Sequence, residues 1–309
     1  MTIARLRTLS AAVMLMGIYS LLSASWMLLL DAPDVAFTEA AVGAGVSTVL
    51  ILVTLFLTSP VDKDSGRKRL LPLLVVVITG AALAYGTLDM PEVGDPNAPN
   101  VIYVAPRYLE QSPSEIGIPN VVTSVLASYR GYDTLGETAV ILTAGIGVIL
   151  LLARTRRKDG PVARDPPRSE NRLSLLRVVT GVLLPYILLL ALYVQFHGDY
   201  GPGGGFQAGV IFAAAFILYS LVFGYPSARR VVPSGSLRFL MALGLLLYIG
   251  VGVWALLEGG EFLNYSALDP HHPSHGQHLG IFLIELGVGI TVAATITAIF
   301  FSFARRTQP

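Results

Sequence analysis

The sequence contains no cysteine and only 13% charged residues. Without a thiol there is no disulfide, no thiolate nucleophile and no zinc or iron–sulfur site of the usual cysteine type, so redox chemistry would have to reside in another chain. A soluble domain carries about 25% charged residues. Here the deficit is matched by 53% hydrophobic residues and a mean hydropathy of +0.66, so water is not the main solvent. A formal charge of +1 offers no concentrated basic face for phosphates, which excludes nucleic acid as a partner. No phosphate loop, nucleophile elbow with a Ser-His-Asp set, or HExxH helix is present. No residue is therefore assigned a catalytic role, the chain is not expected to be an enzyme, and no cofactor or metal site is expected.

What is present is apolar length. A helix crosses a hydrocarbon core of about 30 Å with about 20 apolar residues, and eight segments qualify: 9–30, 36–58, 70–88, 134–153, 174–196, 205–224, 238–257 and 279–303. The first is too long for a signal peptide and lacks a small-residue cleavage pattern. The expected fold is an all-α polytopic membrane helical bundle of about eight transmembrane helices. With both termini cytoplasmic, 19 of the 21 lysines and arginines fall on the inner side, leaving Arg107 and Arg130 outside. That lopsided alternation is what positive-inside retention predicts for an even number of spans.

Residues 154–172, RTRRKDGPVARDPPRSENR, are rich in proline and charge and read as a cytoplasmic linker between two membrane modules, 1–153 and 173–309. On the other face, residues 89–133 form a long connection ending in NVVTSVLASYRG, whose apolar residues suit a short interfacial helix.

Acidic residues within apolar segments are costly and default to functional candidates, which selects Glu39, Glu137 and Glu285. Bland readings stand beside each. Thr134 and Glu137 match a capping box, and Asp34, after Pro33, suits a helix cap that leaves Glu39 a turn inside. If the helices cluster, these carboxyls form an access route for a cation or proton. The segment HGDYGPGGGFQAG, residues 197–209, is the most specific pattern in the chain. Pro202 breaks regular helix, and Gly203, Gly204 and Gly205, before Phe206, permit close backbone approach. They line a site as in a broken transporter helix, or form a tight turn with a Gly205-x-x-x-Gly209 packing face. His197 and Asp199 flank that turn, where a histidine suits proton relay or an interfacial cap. Four histidines, His271, His272, His275 and His278, are interrupted by Pro273 and do not complete a tidy metal set. Pro185 is expected to kink its span.

The motifs themselves resemble a known family. DAPDVAFTEAAVGAGVST, residues 31–48, resembles the C-terminal part of the large A component of Mrp antiporters and its counterpart in membrane-bound hydrogenases; residues 120–147 resemble the segment that follows it. Residues 173–303, centred on HGDYGPGGGFQAGVIFAAAFILY, are similar to the MnhB/MrpB family. The resemblance implies an A-tail module fused to an MnhB-like module in the cell inner membrane, assembled with other Mrp/Mnh antiporter components and contributing to exchange of Na+ for H+. It places functional acids at Asp34, Glu39 and Glu137, and the MnhB motif at His197, Pro202, Gly203, Gly204, Gly205 and Phe206. Two departures are expected to matter: one A-tail span is missing ahead of residue 9, and the long proton-pumping array of the large antiporter components is absent. The alternative is a structural adapter of a membrane-bound hydrogenase or related respiratory complex.

Overall fold

A computed structural model describes residue 6 and residues 8–58, 70–153 and 170–307. Most of the expected linker, and basic residues such as Arg5, Lys63 and Arg164, lie outside the described residues. Among those described, the chain is an all-α polytopic bundle with eight helices long and apolar enough to cross a membrane.

The first spans are α1 (Leu9–Leu29), α2 (Pro33–Phe56) and α3 (Leu70–Thr87). Within α2, an α-helical start, Pro33–Glu39, passes into a π-helical stretch, Ala40–Ser47, before α-helix resumes at Thr48–Phe56. The wider turn is visible where the Thr48 hydroxyl donates to the Gly43 carbonyl five residues back, at 3.2 Å. Such stretches recur at functional sites because they rotate the faces on either side relative to one another. The connection after α3 holds π-helical Asn100–Val104 running into α4 (Ala105–Glu115), then α5 (Val121–Thr123), which continues as π-helical Ser124–Tyr129. A short helix is thus present where an interfacial one is expected, near residue 121. There the Tyr129 hydroxyl donates to the Glu115 carboxylate and Arg107 pairs with it at 3.0 Å. These partners, Tyr129 first, hold the Glu115 carboxyl below its usual range.

The remaining elements are α6 (Gly131–Ala153), α7 (Glu170–His197), α8 (Gly205–Phe223), α9 (Tyr225–Val231), α10 (Ser234–Leu257) and α11 (Pro273–Ala304). Pro185 lies inside α7, as read from the sequence. The long α11 is the hub, packing along α10, α8 and α6, while α8 also lies on α7 and touches α2. In lipid there is no hydrophobic drive between helices, so close packing of small residues takes over. Gly209 sits where a β-carbon would come within 2.7 Å of the Gly289 carbonyl, and one on Gly287 within 2.6 Å of the Gly244 carbonyl. The expected Gly205–Gly209 packing face is therefore the α8–α11 contact. Polar ties are few and buried: the Tyr248 hydroxyl donates to the Gly131 carbonyl at 2.6 Å and that of Tyr265 to Ala127 at 3.1 Å.

Candidate functional site

The turn between α7 and α8 is built for close approach. Gly204 has φ +114, a conformation that side-chain-bearing residues rarely adopt, and it delivers the chain directly into α8. A helix start leaves its first N–H groups without helical partners; at α8 the Gly205 N–H donates to Glu285 Oε2 at 2.8 Å. A β-carbon on Gly205 would run into the backbone carbonyl of Glu285 itself. The glycine run thus does both things the sequence allowed: it packs, and it presents a backbone donor to an intramembrane carboxyl.

Residues remote in sequence clamp this turn. Asn120 caps α5, accepting from the Val122 N–H at 2.9 Å, while its amide donates to the carbonyls of Gly198 at 3.1 Å and Gly201 at 2.9 Å. The Thr123 hydroxyl adds a third bond, to the Gly198 carbonyl, at 2.6 Å. Asp199 pairs with His278 Nδ1 at 3.2 Å; burial raises the Asp199 carboxyl above its usual range, with the His278 contact acting in the opposite direction.

Beside the turn lies a cavity of about 210 Å³ whose walls include Asp34 and Thr38 from α2, Thr134 and Glu137 from α6, Gly203, Gly205, Phe206 and Gln207 from the turn and α8, and Glu285 from α11. Three carboxyls from three helices share one cavity, but not the three assumed to cluster from the sequence: Glu137 and Glu285 are there, and Asp34 takes the place expected of Glu39. Among the described residues no three of His, Cys, Asp or Glu converge closely enough to hold a metal ion, so the carboxyls are separate stations around a space. Gln207 donates to the Thr38 hydroxyl at 2.9 Å, which itself donates to the Asp34 carbonyl at 3.0 Å, tying α8 to α2 at the cavity wall.

Both capping readings are corrected. Helix α2 starts at Pro33 with Ala32 as its cap and no capping side chain, leaving Asp34 in the first turn. Helix α6 starts at Gly131, ahead of Thr134, whose hydroxyl donates instead to the Leu126 carbonyl at 2.8 Å. A capping oxygen accepts at a helix start, and Thr134 lies nearly a turn inside α6, past the position where it could do so.

Other candidates lie elsewhere. Glu39 does not line the cavity: Asp34 and Thr38, four residues apart, share a face of α2, and the next residue turns about 100° away. Its carboxyl folds back over Gly43 beside Ser20 of α1. His197 stacks on Tyr193 with ring centroids 4.8 Å apart. In the histidine cluster, His275 and His278 belong to α11, which begins at Pro273; His272 and His275 are ring neighbours at 5.2 Å. The residues that sequence reading missed are Thr38, Gln207, Asn120 and Thr123, and only the Asn-x-x-Thr cap spacing at 120–123 offered a signal.

Comparison with known proteins fits this architecture. Residues 175–298 match a domain related to the MnhB subunit of Na+/H+ antiporter, while residues 1–60 match the MbhD family and residues 67–168 the MbhE family, both of them MBH subunits. A probable K(+)/H(+) antiporter A/B subunit from Rhizobium meliloti (strain 1021) is 28% identical over 91% of this chain and 31% of its own length. The B subunit of the Na(+)/H(+) antiporter of Alkalihalophilus pseudofirmus is 32% identical over 40% of this chain and 90% of its own. Among solved structures, the Mrp complex from Dietzia sp. DQ12-45-1b contains a chain matched with TM-score 0.76 and 27% identity, covering 98% of this chain and 33% of that one. The archaeal membrane-bound sulfane sulfur reductase matches with TM-score 0.57 and 30% identity, covering 76% of this chain and 97% of that one. The chain thus spans about a third of the Rhizobium relative and of the Mrp-complex chain. With its C-terminal half aligned along nearly the full length of the Alkalihalophilus protein and matched by the family model there, the chain belongs to the family related to the MnhB subunit of Na+/H+ antiporters.

Proposed function

We propose that this chain is a non-catalytic subunit of a multi-component cation/proton antiporter complex in the cell inner membrane, and that the cavity between α2, α6, α8 and α11 is a station on its ion path. The observation that carries the reading is the meeting of Asp34, Glu137 and Glu285 at one cavity beside an opened helix start. Carboxylate oxygens suit hard cations such as Na+, and the same groups exchange a cation for a proton. A transport station must also release what it binds, which favours stations spread around a cavity over a closed chelate. In this proposal the modules 1–153 and 173–309, joined by 154–172, sit with both termini in the cytoplasm and are completed by other antiporter subunits. Na+ and H+ are cargo, and no cofactor is invoked.

The second reading, a structural adapter of a hydrogenase-like or sulfur-reducing respiratory complex, draws on the matches to MBH subunits and on the alignment to nearly all of a sulfane sulfur reductase chain. One experiment separates the two. Glu285→Gln and Asp34→Asn are placed in the assembled complex, and cation/proton exchange is followed in everted vesicles with Na+ or K+ as the driving cation. Conduction predicts at least a tenfold loss of exchange, on the order of 1.4 kcal/mol or more in the rate-limiting barrier, with assembly unchanged. Unaltered exchange in both variants would leave the adapter reading.

A further inference from the structure

A second cavity, of about 350 Å³, opens at the opposite end of the bundle. Its polar wall carries Arg229 from α9, Arg238 from the start of α10, and Arg305 and Arg306 beyond the end of α11. Three helical segments contribute them, α9 and α10 following one another directly in sequence, and Gly224, at φ +92, makes the turn that swings α9 into place. An adjoining depression lined by Tyr225, Pro226, Arg229 and Arg230 extends the same basic surface. No Asp or Glu among the described residues lines either concavity. Apart from Glu170 at the start of α7, the alternation of the spans sends the described acids to the connections and helix halves of the other end.

Arg306 is used structurally, donating to the Leu152 carbonyl at 2.8 Å. Arg229, Arg238 and Arg305 are exposed around the opening. Positive-inside retention explains arginines at this end of the spans, but it requires neither a cavity nor convergence from three segments. Guanidinium groups present donors in a planar fork that matches phosphate oxygens. The rest of the wall is largely apolar, with Leu152, Leu237, Ala298 and Phe301, residues at the ends of apolar helices. A free phosphate has no use for that wall; a lipid has. Basic pockets of this kind between spanning helices hold anionic headgroups.

We propose that this cavity binds the phosphate of an anionic phospholipid headgroup, with Arg229, Arg238 and Arg305 as its donors and the apolar wall receiving the start of an acyl chain. The full chain is delipidated in detergent and titrated with phosphatidylglycerol, with phosphatidylcholine, and with inorganic phosphate alone, while thermal midpoint and retained lipid mass are recorded. Phosphatidylglycerol is expected to raise the midpoint by about 4 °C at saturation and to remain bound, while the other two ligands leave it unchanged. The Arg229→Ala/Arg238→Ala/Arg305→Ala variant is expected to bind at least tenfold more weakly. Should that variant not fold, Arg238→Gln and Arg305→Gln, each alone, give the same reading in smaller steps. Equal stabilisation by phosphatidylcholine or by inorganic phosphate, or an unchanged response in the variants, overturns the lipid assignment.

Discussion

The N-terminal spans and the C-terminal bundle are packed on different terms. In the most apolar window of α11 56% of residues are buried, and in that of α8 44%, against 6% in α2 and none in α3. The C-terminal helices approach at positions where a side chain is absent, so their contacts are backbone to backbone. Helices α1 and α2 pack mainly on each other, α3 is exposed along its whole length, and all three leave large apolar faces uncovered. In water such faces would be a liability; in lipid they cost little, because acyl chains solvate leucine as well as protein does. Exposure of this kind marks a region free to be covered either by lipid or by another protein, whereas α8, α10 and α11 bury a third to a half or more of their apolar windows within the chain.

The difference can be broken most sharply with glycine. Gly205→Ala drives a β-carbon into the Glu285 carbonyl, an overpacking that neither rotamer change nor a flexible neighbour relieves. It is expected to cost about 3 kcal/mol, seen as a large fall in thermal midpoint and loss of assembled complex. The same change at Gly80 in α3, where a β-carbon meets nothing within 4 Å, is expected to be neutral or to stabilise by about 0.5–1 kcal/mol through helix propensity. If both variants behave alike, the contrast between the regions is wrong.

A second probe uses the absence of native cysteine. Single cysteines placed around α3, at Leu74, Val75, Val76 and Val77, are expected to react with a membrane-soluble maleimide on every face in the isolated chain. In the assembled complex, at least a fivefold slowing confined to one face, an effective 1 kcal/mol of protection at about 0.6 kcal/mol per unit of RT, would place a partner there. Uniform labelling in the complex would assign α3 to lipid.

The smallest effect concerns the α7–α8 turn of the C-terminal bundle, which Asn120 and Thr123 clamp from the N-terminal half. The folded state raises the Asp199 carboxyl above its usual value of 3.8, through burial. The native chain therefore holds that proton more tightly than the unfolded chain. Its stability falls as pH rises from the ordinary aspartate value through the raised one, because the unfolded state binds fewer protons across that window. Asp199→Asn is expected to flatten this slope while retaining a contact to His278, a change of a few degrees in midpoint between pH 4 and pH 7. A wild-type midpoint that rises with pH through the same window, and loses that rise in the variant, would reverse the assignment.

Much of this was legible before any tertiary structure. Spans are a property of composition: a run of apolar residues long enough to cross hydrocarbon announces itself, and the helices end within a few residues of the expected positions except at α11, which begins at Pro273 because its histidine-rich lead extends beyond the apolar run. Carboxyls in such runs stand out because each is costly there. Pairings were not legible. In one dimension Glu39 is the better candidate and Asp34 a helix cap, yet helix geometry sends Asp34 to the cavity and Glu39 toward Ser20. Thr134 and Glu137 spell a capping box, but the helix begins earlier, at Gly131, and leaves Thr134 inside it. The π-helical stretches carry no pattern that apolar periodicity can register.

The sequence by itself determined that this chain lies in a membrane, how many times it can cross, and which few ionisable side chains it carries into the apolar layer, because these follow from transfer free energies summed along a line. Only the tertiary structure decided that Asp34, Glu137 and Glu285 share a cavity, that Asn120 and Thr123 hold the Gly198–Gly204 turn, and that arginines from three segments surround a single opening. Those outcomes depend on which helix faces meet, and in lipid that choice is made by close packing and by a handful of buried hydrogen bonds.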